Sequence, residues 1–203
     1  MISTNPFSKV FGIIFLILIV WILHILFLPH LLQWGMQEDD WRWLFYFDTH
    51  RGNQIGNFIT IRNDLGSVHA LQQVYYIGIL RRIFGLNQTA FQLTNLFFKS
   101  LAALSAGYLV LKLTKNRLFT FFVVFFFVIF PSTAGLFPII TGLNYLIVVF
   151  VCFSIYFYYQ SVNSPKKILL AAFFFFLALS VGPARAYLLL PLPLFVELIR
   201  FKN

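Results

Sequence analysis

Carboxylates are scarce in this chain: six Asp and Glu stand against fifteen Lys and Arg, and charged residues of both signs fill only 10% of its 203 positions. A soluble domain carries about 25% charged residues, so this sequence lacks the polar surface to clothe a body in water. Cysteine occurs once, as Cys152 inside an apolar run. A single thiol excludes an intramolecular disulfide and a Cys-based metal site, and Cys152 reads as inert packing. Low-complexity linkers, short-period repeats and stretches with the composition of a soluble domain are all missing. What is abundant is apolar: 60% of the chain is hydrophobic, 20% is aromatic, and 28 residues are phenylalanine. This composition predicts an all-α, polytopic transmembrane helix bundle, an integral membrane protein. The net charge of +9 would suit nucleic acid, but the cations stand singly or in pairs between apolar runs and make no basic face. They read as topology signals and lipid-headgroup contacts, so membrane lipid is the expected partner and nucleic acid is not.

Six spans are expected, at about 10–28, 89–111, 118–137, 143–159, 168–181 and 187–199. The first, Val10 to Leu28, is a nineteen-residue run after Lys9, long enough for a hydrocarbon core of about 30 Å at about 1.5 Å per residue. No small-residue cleavage pattern follows it, which reads as an uncleaved signal anchor; His24 within it reads as interior-facing. Between about 30 and 88 lies the longest polar region, a large outer loop. Inside it Val68, Leu71, Tyr75 and Ile79 share a helical face that ends in Arg81-Arg82, which fits either a span or an interfacial helix. Charge bookkeeping chooses the interface: Lys9, Lys112/Lys115/Arg117, Lys166/Lys167 and Arg200/Lys202 then all fall on one side, as the positive-inside bias expects. Both termini are thereby cytoplasmic, in a plasma membrane of the bacterial inner-membrane type. Pro131 and the Gly182-Pro183-Ala184-Arg185 stretch break the later spans, which is tolerated where protein or a cavity surrounds them.

Three of the six acids stand side by side, as Glu38-Asp39-Asp40, and Asp48 and Asp64 lie nearby. In so apolar a chain, such a cluster marks where water and chemistry are available, although a solvated, helix-capping loop has the same composition. Arg51, Arg62, Arg81, Arg82 and Arg185 are candidate phosphate contacts through their forked donors, and each also suits a simple interfacial role. Lys99 falls in the second span, where a cation costs about 2.5–3.5 kcal/mol, so it must face protein or a wet cavity. His50 and His69 could join Asp39 or Asp40 around a divalent metal, but their spacing matches no recognised ligand pattern, and no cofactor is indicated.

The order of pieces carries a resemblance. An N-terminal span is followed by Glu38-Asp39-Asp40-Trp41, then His69-Ala70-Leu71 through Tyr75-Tyr76, Ile83-Phe84-Gly85-Leu86-Asn87 and Phe91-Gln92-Leu93-Thr94-Asn95-Leu96. Phe130-Pro131, Ile140-Thr141-Gly142 and Leu177-Ala178-Leu179-Ser180 leading to Leu190-Pro191-Leu192 follow. Together they resemble GT-C-type membrane glycosyltransferases of the protein O-mannosyltransferase-like branch. The resemblance implies sugar transfer from a polyprenyl-phosphate donor to an acceptor hydroxyl or amide on the outer face. It maps the family's acidic pair onto Asp39 and Asp40, with Glu38 adjacent, and either Asp could be the base. A carboxylate can take the acceptor's proton while a phosphate leaves the anomeric carbon. Two departures stand out. The family continues beyond six spans, so this chain corresponds to an N-terminal portion that a C-terminal half or partner subunit would complete. A Lys-Glu pair expected after Leu179-Ser180 is replaced by Val181-Gly182-Pro183-Ala184-Arg185. The rival class is a non-catalytic carrier or flippase-like subunit of an envelope polysaccharide pathway. It expects polar groups along an internal path, for which Gln92, Asn95, Lys99 and Asn144 are available; the acid-rich outer loop favours the enzyme.

Overall fold

The structure, a computed structural model, describes residues 38–49, 68–129, 141–162 and 164–181, with single helical positions at Phe15, Leu18, Ile19, Trp21, Ile22, Leu26, Leu194, Glu197 and Leu198. The described residues form six helices and no strand: α1 Glu38–Thr49, α2 Val68–Phe84, α3 Gln88–Thr114, α4 Arg117–Ile129, α5 Thr141–Gln160 and α6 Lys166–Val181. The all-α expectation holds. Two helices, Gln88–Thr114 and Gly142–Gln160, are long and apolar enough to cross a membrane. The other two apolar helices, α4 and α6, have 13 and 16 residues, short of the roughly 20 that a span needs. The expected spans at 10–28 and 187–199 lie outside the described residues apart from those single positions.

Between 30 and 88, where one helix is expected, the described residues form two. The helix from Val68 to Phe84 is present as α2, and α1 is added. Glu38, Asp39 and Asp40 thus open a helix rather than a loop, where the positive end of the macrodipole favours carboxylates. The four-residue spacing that makes α1 amphipathic is written in Asp40, Trp43, Leu44 and Phe47, which share one face.

Local chemistry starts and stops the long helix. Asn87 caps α3 by accepting the Ala90 N–H on its Oδ1 at 3.1 Å, as an N-cap does. At the far end Lys115 turns left-handed, with φ 56°, and its N–H returns to the Leu111 carbonyl at 2.9 Å. Asn116 then caps α4, accepting the Phe119 N–H at 3.0 Å, so α3 and α4 form a tight hairpin. α5 and α6 form a second one, held by the Ser154 hydroxyl donating to the Ala171 carbonyl at 2.8 Å and by Phe157 stacked on Phe174 at 5.6 Å. The two hairpins meet along α3 and α5. Asn95 lies against Gly142 near the start of both helices, and Tyr108 bonds Tyr156 near their ends, so α3 and α5 run in the same sense.

Large apolar side chains face outward from α4 and α6, among them Leu118, Phe119, Phe121, Phe122 and Phe126 on the former and Ile168, Leu169, Phe173 and Phe176 on the latter. A continuous apolar exterior of this kind is a liability in water and the ordinary state of a helix in lipid. Inside, Trp21 donates its indole N–H to the Ser100 hydroxyl at 3.1 Å, which ties the N-terminal segment to α3.

Candidate functional site

The site is built by the docking of α1 on α2. Trp43 and Leu44 enter a core with Val74, Ile77, Leu80 and Phe91, while Trp41, Arg42 and Phe45 remain exposed. Close approach is possible because Gly78 has no side chain: a Cβ there would run into the Phe47 ring. The Arg82 guanidinium covers the same ring, 5.2 Å from its centre. Asp40 lies on the docked face, one turn before Trp43 and Leu44, and is 0% exposed. Asp39, one residue earlier, holds a helical position offset by about 100° from that of Asp40.

Tyr76 of α2 carries the site onto the two long apolar helices, α3 and α5. Its hydroxyl stands 3.5 Å from Asn95 Oδ1 of α3, long for a hydrogen bond, and against Gly142 of α5. Burial foremost, and then the negative charge of Asp40, push the Tyr76 hydroxyl pKa well above the ordinary tyrosine value. Tyr76 therefore stays protonated at neutral pH and can donate. Gln92, Asn95 and Lys99 follow at helical spacing on one face of α3 and are only 1%, 4% and 2% exposed. This satisfies the requirement that Lys99 face protein. Asn144 is half-buried.

Arg81 and Arg82 stand in the last turn of α2, with Arg82 at Phe47 of α1. Arg82 is exposed, and Arg81 is half-buried with its Nε making no hydrogen bond. Arg51, Arg62, Arg185 and His50 lie outside the described residues, as do the side chains of Glu38, Asp39 and His69. Among the described residues no group of three His, Cys, Asp or Glu is placed to hold a metal ion. Tyr76 and Gly142 are the additions that sequence reasoning did not assign a role. Tyr76 signals itself only as a polar tip in an apolar helix, and Gly142 only as a small residue opening one.

Charge divides along the bundle. The α3–α4 turn holds Lys112, Lys115 and Arg117, and the α5–α6 turn leads into Lys166 and Lys167. Because α3 and α5 run in the same sense, these five cations share one end. Tyr76, beside Asp40, meets α3 and α5 at the other end. From Asn95 to Lys112 the helix rises about 26 Å at about 1.5 Å per residue, close to the thickness of a hydrocarbon core of about 30 Å. Comparison with protein-family models, with curated proteins and with solved structures found nothing that matches this chain.

Proposed function

We propose that this chain is a membrane glycosyltransferase, or the N-terminal part of one, that moves a sugar from a polyprenyl-phosphate donor to an acceptor on the outer face of a bacterial-type plasma membrane. The observation that carries the reading is the complete burial of Asp40 beside Tyr76, the residue at which α2 meets α3 and α5. Asp40 takes the acceptor's proton; the acceptor oxygen forms the new bond to the anomeric carbon. The bond from that carbon to the phosphate oxygen breaks, and its electron pair leaves with the polyprenyl phosphate. Protonated Tyr76 holds the approaching polar groups beside Asp40, and Arg81 and Arg82 offer forked donors to the phosphate. Asp39 and Glu38 supply negative charge next to the base, and Lys99 offers a cation deeper in the bundle. Six spans, with the remaining ones drawn from the segments at 10–28 and 187–199, complete the fold in this reading, together with a C-terminal half or partner subunit.

Orientation follows from the cationic end facing the cytoplasm. Cysteines placed singly at Asn87 and Asn116, the exposed caps of α3 and α4 that lie at opposite ends of α3, should label from outside and from inside respectively. The reverse pattern would put Asp40 on the cytoplasmic side and end the outer-face reading.

One observation favours a second reading, a carrier or flippase-like subunit: Gln92, Asn95 and Lys99 are buried along one face of α3, the internal polar path that such a protein uses. Proteoliposomes containing a fluorescent polyprenyl-phosphate sugar separate the two. Transfer to an added acceptor supports the enzyme; movement of the donor between leaflets with its sugar intact supports the carrier and removes the transferase proposal.

A further inference from the structure

A second feature lies toward the cationic end, at Leu104 to Tyr108 of α3, about 14–20 Å along that helix from Asn95 at about 1.5 Å per residue. Between α3 and α5 there is a cleft of about 250 Å³ lined by Leu104, Ser105, Tyr108, Cys152, Phe153 and Tyr156. Its walls are apolar apart from one end, where the Tyr108 hydroxyl donates to the Tyr156 hydroxyl at 3.2 Å and the two rings meet edge to face at 5.3 Å. Each tyrosine is tied to a cation. Lys112 sits 5.3 Å from the centre of the Tyr108 ring. On the other side Lys167 donates to Gln160 Oε1, and Gln160 in turn donates from Nε2 to the Tyr156 hydroxyl, both at 2.5 Å. Lys115, Arg117 and Lys166 lie in or beside the two turns at this end, and no acid occurs in either turn or in α3 to α6.

We propose that this cleft is a binding site for one anionic phospholipid of the leaflet at the cationic end. Part of an acyl chain lies among Leu104, Phe153 and Cys152, and the phosphate reaches Lys112 and Lys167. Shape and charge together select this occupant. A zwitterionic lipid brings its own cation beside the two lysines and leaves their charge uncompensated, and a free phosphate would leave the apolar walls empty. Tyrosines at the junction suit a boundary where one end of the ring is apolar and the other wet. The inference rests on the helices being embedded in lipid and is independent of any sugar transfer.

Two lysines close to one headgroup are worth about 1 kcal/mol each near a charged membrane surface, which corresponds to roughly 30-fold in affinity. Native mass spectrometry of the full chain in neutral detergent should therefore show one phosphatidylglycerol held about 30-fold more tightly than phosphatidylcholine. Lys112→Gln with Lys167→Gln, at side chains that do not build the core, should abolish that preference. Ser105→Leu, which fills the cleft, should expel the lipid while the lysines remain. Equal retention of the two lipids would overturn the proposal, as would a lysine variant that keeps the preference or a folded Ser105→Leu protein that keeps the lipid. Displacement of phosphatidylglycerol by inorganic phosphate at matching concentration would overturn it too, since the anion alone would then suffice. Should Ser105→Leu fail to fold, the lysine variant decides.

Discussion

Asp40→Asn should lower the turnover of sugar transfer by about 10² to 10⁴, the range a general base contributes. The affinity for the polyprenyl-phosphate donor should stay near the parental value, because an interaction needed only in the transition state is lost. The substitution is nearly isosteric and removes a charge from a site that is 0% exposed. Burying an amide costs less than burying a carboxylate, so the fold should be no less stable and the loss should be chemical. Asp48→Asn, in the half-exposed last turn of α1, should transfer at the parental rate. Asp39→Asn should fall much less than Asp40→Asn, since its position is offset by about 100° around the helix. The measurement is single-turnover transfer by a membrane-reconstituted form that contains any completing partner. Parental activity in Asp40→Asn would make the buried carboxylate structural and end the transferase reading of this site.

Gly142→Ala should destabilise the protein, although alanine at an open helical position normally stabilises by about 0.5–1 kcal/mol over glycine. A Cβ at position 142 would collide with the Tyr76 hydroxyl and stand 2.7 Å from Asn95 Oδ1 and 2.8 Å from Tyr76 Cζ. The buried Tyr76 and Asn95 side chains, or the helices that carry them, must then give way, at a cost of about 1–3 kcal/mol for overpacking. Because Tyr76 lies beside Asp40, the displacement should also reach the chemistry, where a shift of about 1 Å can cost about 10²-fold in rate. Tyr76→Phe removes the colliding oxygen. In the double variant the loss should be smaller than the sum of the two single losses, with a coupling of about 0.5–3 kcal/mol. Thermal unfolding of the four proteins in one detergent measures it. Strict additivity would mean that Tyr76 and Gly142 do not touch, and the meeting point of α2 with α3 and α5 would dissolve.

The amphipathic pattern of α1 was present in the sequence and was outweighed by its composition. Acids, tryptophans and an arginine between two apolar regions look like a water-exposed loop, whereas helical spacing places Asp40, Trp43, Leu44 and Phe47 on one docked face. The α2 boundaries were legible because an apolar periodic run ends at paired arginines before Gly85. Its contact with α5 was not, because a tyrosine 66 positions before the glycine it touches leaves no local signal.

What the sequence by itself determined is the helical class, the lipid-compatible exterior and the concentration of acid in one region and cations in others. These are properties of composition and of spacing within a single helix, where neighbours in the chain are neighbours in space. Only the tertiary structure decided which carboxylate is withdrawn from solvent and what it meets. It also brought Lys112 and Lys167 together around one cleft. Those outcomes depend on which helix faces pack, and packing joins residues through side-chain volume and the small size of Gly78 and Gly142 rather than through their order along the chain.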